Sequence, residues 1–96
     1  MKVFSESLKG VSMVDPASVY IDDEVVLAPD VTVLPNTHLL GDTRIGTGSV
    51  IGPNCVLRNA AIGRGCVVQQ SSIEDSILED GADAGPFARL RGGARI

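Results

Sequence analysis

The residues with the clearest potential for chemistry are three arginines near the end of the sequence, Arg89, Arg91 and Arg95. A guanidinium group keeps its charge at any ordinary pH and can bind a phosphate group through two parallel hydrogen bonds. A guanidinium is therefore a side chain suited to binding phosphate. The alternative is that the three arginines are ordinary exposed charges at outward positions of strands.

The only histidine, His38, is a weaker candidate for catalysis. A general base needs a nucleophile and an orienting partner within hydrogen-bond reach, and no nearby residue suggests such a pair. We expect an ordinary surface or corner histidine, and we predict no catalytic residue in this chain.

The two cysteines, Cys55 and Cys66, lie eleven positions apart without a companion histidine, which makes a poor zinc site. We predict reduced, buried thiols rather than a disulfide or a metal pair, and no metal in the chain. Reduced thiols are typical of cytoplasmic proteins. The first residues also lack the apolar segment of a signal peptide, so the sequence indicates a cytoplasmic location.

Acidic residues form two patches, one at Asp22, Asp23 and Glu24 and one at Glu74, Asp75, Glu79 and Asp80. Solvated turn residues are the ordinary interpretation. A cation site, or a contact with the arginine-rich end of another copy, is the alternative. The net charge of -4 argues against nucleic acid as a partner. No run of about 18 apolar residues predicts a membrane span.

A repeat of six residues dominates the sequence and must position these groups. Aromatic residues make up only 3% of the chain, which favours a narrow core of small aliphatic side chains. One set of columns in steps of six contains Met13, Val19, Val25, Val31 and Thr37, then Leu39, Ile45, Ile51 and Leu57, then Ile62 and Val68, and finally Leu78, Ala84, Leu90 and Ile96. A second column of compact residues follows four positions later, at Ala17, Pro29, Pro35, Thr43, Ser49, Cys55, Cys66, Ala82, Ala88 and Ala94.

Alternation of side chains along a short strand, followed by a tight turn, explains a unit of six residues. Three units close a triangular coil of about 18 residues, and coils stack at the strand spacing of about 4.8 Å. The sequence therefore predicts an all-β fold, a parallel β-helix of about four to five coils over residues 13–96. Residues 1–12 form a lead-in, with a short helix expected from Phe4 to Lys9.

The register of the repeat breaks near residues 37–39, 57–62 and 68–78. At such breaks a corner could bulge or a loop could protrude. The polar, out-of-phase segment Gln69-Gln70-Ser71-Ser72 is the predicted protrusion.

Several motifs resemble one enzyme family in the order of their occurrence. They are Asp15-Pro16, Tyr20-Ile21-Asp22, Leu34-Pro35-Asn36-Thr37, Gly41-Asp42-Thr43-Arg44-Ile45-Gly46 and Gly85-Pro86-Phe87-Ala88-Arg89-Leu90-Arg91. The family is the bifunctional N-acetylglucosamine-1-phosphate uridyltransferase and glucosamine-1-phosphate N-acetyltransferase. The resemblance covers about residues 8 to 96 and corresponds to the first coils of the C-terminal hexapeptide-repeat domain of that family.

The resemblance implies a left-handed β-helix, a homotrimer, and a place in UDP-N-acetylglucosamine synthesis for cell wall biogenesis. It implies that Arg91, in the place of the arginine of the family's Leu-Arg-Pro-Gly stretch, helps to bind a sugar phosphate. Gly92 departs from the family at the proline of that stretch, which loosens the following turn.

The family's acetyltransferase base and its acetyl-coenzyme A surface lie downstream of the resembling stretch, and its nucleotide-binding half lies upstream. We therefore expect an incomplete transferase domain that binds no cofactor by itself and is inactive alone. The alternative is a non-catalytic trimeric β-helix that serves assembly or binding.

Overall fold

The computed structural model describes residues 10–96, which form short strands joined by corners. In chain order the elements are β1 Ser12–Met13, a 3₁₀ helix Pro16–Ser18, β2 Tyr20–Ile21, β3 Val26–Leu27, β4 Thr32–Val33, β5 His38–Leu40, β6 Arg44–Ile45, β7 Val50–Ile51, β8 Val56–Arg58, β9 Ala61–Ile62, β10 Val67–Val68, β11 Ser72–Glu74, β12 Ile77–Leu78, β13 Asp83–Ala84 and β14 Arg89–Leu90. The helix predicted from Phe4 to Lys9 lies outside the described residues. No helix within residues 10–96 is long and apolar enough to span a membrane.

The strands build three parallel sheets, because every third strand returns to the same side of the coil. Sheet A contains β1, β4, β7, β10 and β13, sheet B contains β2, β5, β8, β11 and β14, and sheet C contains β3, β6, β9 and β12. A bridge between Ile77 and Arg95 extends sheet C. The predicted parallel β-helix is confirmed, with about five turns. Its left hand stays a prediction from the resemblance.

The core consists of two in-facing residues on each side of each coil. The larger one runs in steps of six through Ile21, Leu27, Val33, Leu39, Ile45, Ile51 and Leu57, and all of these are buried except the half-buried Leu27. The smaller one precedes it by two positions. Burial of each large aliphatic side chain contributes about 1.5–3 kcal/mol before entropy is subtracted.

The predicted columns were wrong in the first coils. Val19, Val25 and Val31 are buried, but they occupy the position of the smaller in-facing residue, so the column does not slip near residues 37–39. The compact column was also wrong there, since Ala17 and Pro29 are exposed corner residues. Valine fits both the larger and the smaller in-facing position. Both positions recur every six residues and lie two residues apart, so the repeat alone does not show which of them a valine occupies.

The structure confirms the later breaks in the repeat, but each break is a side shortened by one residue and not a protruding loop. The large in-facing residue advances by five from Leu57 to Ile62, from Val68 to Ile73 and from Ile73 to Leu78. At these corners a residue with positive φ turns the chain, and the three are Asn59 (φ 50), Gln70 (φ 45) and Asp75 (φ 50). The protrusion predicted at residues 69–72 was wrong, because Ser71 is a buried member of the core and the side is one residue shorter.

Buried hydroxyl groups connect successive coils at the corners, where backbone pairing stops. Ser49 Oγ donates to the Gly63 carbonyl at 2.8 Å and accepts from the Cys66 amide at 3.1 Å. Thr43 Oγ1 likewise accepts from the Ala60 amide at 3.3 Å. These side chains satisfy backbone groups that would otherwise be buried without a partner, which costs about 1–3 kcal/mol each.

Close stacking of corners requires glycine in one of the columns. A Cβ atom on Gly46 would lie 2.6 Å from the carbonyl group of Gly63, and one on Gly63 would lie 2.5 Å from Asp80 Oδ1. Neither glycine has a positive φ. Glycine is therefore needed at these two positions for space rather than for backbone conformation.

Candidate functional site

The three arginines singled out by the sequence do not converge on one point. Arg89 lies on the outer face of β14 in sheet B, and Arg91 lies at the corner that follows Leu90. Arg95 lies against Ile77 at the end of sheet C and forms an ion pair with Glu79 at 3.4 Å. The triangular cross-section thus distributes the three charges over two faces and the corner between them.

Arg91 is exposed and available to a ligand. The three ion pairs within residues 10–96 use Arg58, Arg64 and Arg95 as their cations, so none of them occupies Arg91. One coil earlier, at the end of β11, Glu74 Oε2 lies 3.7 Å from Arg58 Nε. Arg91 therefore presents a free guanidinium beside a mixed row of charges.

His38 is exposed on the outer row of sheet B. Its ring stacks on that of Tyr20, with centroids 6.2 Å apart and an interplanar angle of 26°. A hydrogen bond to the carboxylate of Asp22 raises the pKa of Tyr20, and the charge of that carboxylate acts in the same direction. The predicted surface histidine is confirmed.

Both cysteines are free thiols in the buried, smaller in-facing position, as predicted. Cys55 Sγ donates to the Val68 carbonyl at 3.4 Å and Cys66 Sγ to the Glu79 carbonyl at 3.2 Å. Burial raises the pKa of the Cys55 thiol because the thiolate would lose its hydration. Both cysteine side chains are therefore part of the packed core.

Most of the acidic residues of the two patches lie at corners, and two of them bind the backbone of the neighbouring coil, whereas Glu74 lies on β11. Asp22 Oδ2 accepts from the Gly41 amide at 2.8 Å, and Asp80 Oδ1 accepts from the Arg64 amide at 2.8 Å. The hydrogen bond from the Arg64 amide lowers the pKa of Asp80, and the hydrogen bond from the Arg64 side chain acts in the same direction. Among residues 10–96, no three potential ligands of the His, Cys, Asp and Glu types come together around a metal position.

A shallow groove of about 460 Å³ on the outer face of sheet C was not predicted from the sequence. Ala61 and Gly63 contribute to its floor, and Arg44, Ile77 and Glu79 also line it. The small Ala61 is the Cα partner of both Arg44 and Ile77, which leaves a depression between two larger side chains. Only the register of sheet C reveals this arrangement.

Comparison with known proteins supports the repeat and the resemblance. Residues 24–59 match the family described as bacterial transferase hexapeptide (six repeats). The chain is 48% identical over 89 residues to the bifunctional protein GlmU of Trichormus variabilis, which is 93% of this chain and 20% of that protein. It is 44% identical over 89 residues to the GlmU protein of Kineococcus radiotolerans, covering 93% of this chain and 18% of that protein.

The matched part of these relatives is their C-terminal region. The chain spans about a fifth of the length of the curated relatives it matches. A solved structure, a mutant of perosamine N-acetyltransferase from Caulobacter crescentus in complex with CoA and GDP-perosamine, matches with a TM-score of 0.43 and 24% identity, covering 80% of this chain and 38% of that one.

Proposed function

We propose that these 96 residues are part of a glucosamine-1-phosphate N-acetyltransferase domain that acts in UDP-N-acetylglucosamine synthesis in the cytoplasm. One observation carries the proposal, namely 48% identity to a GlmU protein over 93% of the chain. The hexapeptide repeat alone would support only a general transferase scaffold. The continuous similarity lies in the C-terminal acetyltransferase region of GlmU, so the proposal is restricted to acetyl transfer.

Within this proposal, Arg91 binds the phosphate group of the sugar. The residue belongs to the segment Gly85-Pro86-Phe87-Ala88-Arg89-Leu90-Arg91, the most specific part of the resemblance. Its exposure at a corner and its freedom from ion pairs within the described chain suit a guanidinium that receives a phosphate. The corner after Leu90 contains Gly92 and Gly93, and no heavy atom lies within 4 Å of the position that a Cβ would take on either, so this corner is open.

Acetyl transfer needs groups beyond the 96 residues of this chain. By the resemblance, the base and the acetyl-coenzyme A surface follow the stretch that ends with Arg91. We therefore propose that this chain by itself binds sugar phosphate and does not transfer the acetyl group. An assay with acetyl-coenzyme A and glucosamine 1-phosphate should show no product above background.

Copies of the chain are proposed to assemble side by side as a homotrimer through the β-helix. Tyr20, Val26, Val56 and Ile77 lie on the outer rows of sheets B and C, and each is more than a third exposed. Contact between copies would remove such side chains from water. Light scattering should give three times the mass of 10.0 kDa, and a monomer at high concentration would contradict the assembly.

Calorimetric titration with glucosamine 1-phosphate tests the role of Arg91. We expect Arg91→Ala to weaken binding by about 10- to 150-fold, the range expected for losing a hydrogen bond to a charged group. Arg89→Ala is the matched control, because it removes the same charge from the outer face of the adjacent strand. Equal losses in both variants, or no loss in either, would reject a specific site at Arg91.

The alternative function, a non-catalytic trimeric module, is favoured by two exposed aliphatic side chains on the outer face of sheet C, where Val26 is 49% and Ile77 37% exposed. It predicts trimers that bind no sugar phosphate. The titration and the scattering measurement together therefore separate the two functions.

A further inference from the structure

We propose that Arg58 and Glu74 set the affinity of Arg91 for anions, with Arg58 holding the Glu74 carboxylate away from the Arg91 guanidinium. The two residues are positioning residues that would not touch the ligand. This inference rests on the proposed phosphate-binding role of Arg91 for its biological meaning. The charge coupling itself can be measured independently of that role.

The register of sheet B places the three side chains in one row along the helix axis. Arg58 and Glu74 are Cα partners in the pairing of β8 with β11. In the pairing of β11 with β14, Ser72 is the partner of Arg89 and Ile73 the partner of Leu90. Arg91 follows Leu90 directly, just beyond the end of β14. The Gly93 amide donates to the Asp75 carbonyl at 2.9 Å, so the two chain segments stay side by side past the strand and Arg91 lies beside Glu74. Successive members of the row are then separated by the strand spacing of about 4.8 Å.

Glu74 thus has Arg58 on one side and Arg91 on the other, and its carboxylate forms an ion pair with Arg58. Its Oε2 atom is 3.7 Å from Arg58 Nε, whereas Arg91 has no ion pair within the described residues. Without Arg58, the only cation beside Glu74 in this row would be Arg91. A carboxylate paired with Arg91 must be displaced before phosphate can bind, so the apparent affinity would fall.

The pair is about half exposed, since the relative side-chain exposures are 53% for Arg58 and 48% for Glu74. Water and salt screen exposed ion pairs. A change in the partner of Glu74 therefore alters the phosphate-binding constant of Arg91 by no more than about fivefold. We therefore expect Arg58→Gln to weaken binding of inorganic phosphate two- to fivefold and Glu74→Gln to strengthen it by a similar factor.

Long-range charge alone would predict the same two signs, and the double variant separates the explanations. If Arg58 acts by holding Glu74, Arg58→Gln should have almost no effect in a Glu74→Gln background. If it acts only through its charge, its effect should be the same in both backgrounds. Arg64→Gln is the matched control, because Arg64 also pairs with a carboxylate but lies at a different corner, between β9 of sheet C and β10 of sheet A.

The nitrogen–proton resonance of Arg91 Nε gives a second readout that does not depend on any ligand. It should move in Arg58→Gln, because the guanidinium gains a carboxylate partner, and it should not move when Arg58→Gln is added to Glu74→Gln. Additive phosphate affinities, or a resonance that ignores Arg58, would overturn this inference. Failure of Arg91→Ala to weaken phosphate binding would instead reject the proposed site and leave the resonance test of the coupling intact.

Discussion

Val56 and Leu57 are neighbours in the sequence but lie on opposite sides of sheet B. The Leu57 side chain is fully buried between its Cα partners Leu39 and Ile73, whereas Val56 is 41% exposed on the outer row. The alternation of side chains along a strand produces this difference. The adjacent pair therefore allows the core and the surface of one coil to be tested at nearly the same place.

Leu57→Ala should lower the free energy of unfolding by about 2–5 kcal/mol, because it opens a cavity in the middle of the stacked core. Val56→Ala, the matched control, should cost clearly less, because Val56 lies outside the stacked core and is 41% exposed in the single chain. Chemical denaturation monitored by circular dichroism measures both. Similar losses in the two variants would contradict the assignment of inner and outer faces.

The Ser49 hydroxyl should contribute to the free energy of unfolding, because its hydrogen bonds connect two successive coils. Ser49→Ala removes the acceptor of the buried Cys66 amide and the donor to the Gly63 carbonyl. We expect a loss of about 1–3 kcal/mol in the free energy of unfolding. Ser72→Ala, at an exposed position of β11, should be nearly neutral. A neutral Ser49→Ala would show that the corner does not depend on this bridge.

Acid should destabilise the fold partly through Asp80. Because its pKa in the folded chain is lowered from the ordinary value of 3.8, its stabilising contribution is complete above that value and is lost as the pH falls through the folded-state pKa. The free energy of unfolding of Asp80→Asn should therefore decline less steeply below about pH 3.8 than that of the wild type.

Asp83→Asn is the matched control for Asp80, since it removes an exposed carboxylate from the outer row of sheet A. Its acid profile should follow that of the wild type. Parallel profiles for all three proteins would contradict the role given to the hydrogen bonds from Arg64.

The fold was predictable because the period of six is preserved through most of the chain. The assignment of residues to the two in-facing positions failed where Val19, Val25 and Val31 carry no contrast in size with Ile21 and Val33. From Thr43 onward the smaller position is filled by compact residues, and the prediction was right at Thr43, Ser49, Cys55 and Cys66. It missed Ala60, Ser71 and Ser76, which follow the shortened sides.

The shortened sides and the candidate site depend on geometry that a linear pattern does not contain. Gln70 and Ser71 read as a polar loop because their sequence does not show that Ser71 donates to the Gln69 carbonyl while buried. The three arginines read as one group because they are close in sequence, whereas the corner after Leu90 sends Arg89 and Arg95 to different sheets. The Glu74–Arg91 neighbourhood appears only when strands 17 residues apart are brought into register.

Nuclear Overhauser effects between methyl groups of Leu39, Leu57 and Ile73 test the central claim of a stacked aliphatic ladder most directly. Methyl contacts are expected from Leu39 to Leu57 and from Leu57 to Ile73, since these pairs are Cα partners on successive coils. Methyl groups that contact only sequence neighbours or water would contradict the β-helix and every functional proposal that depends on it.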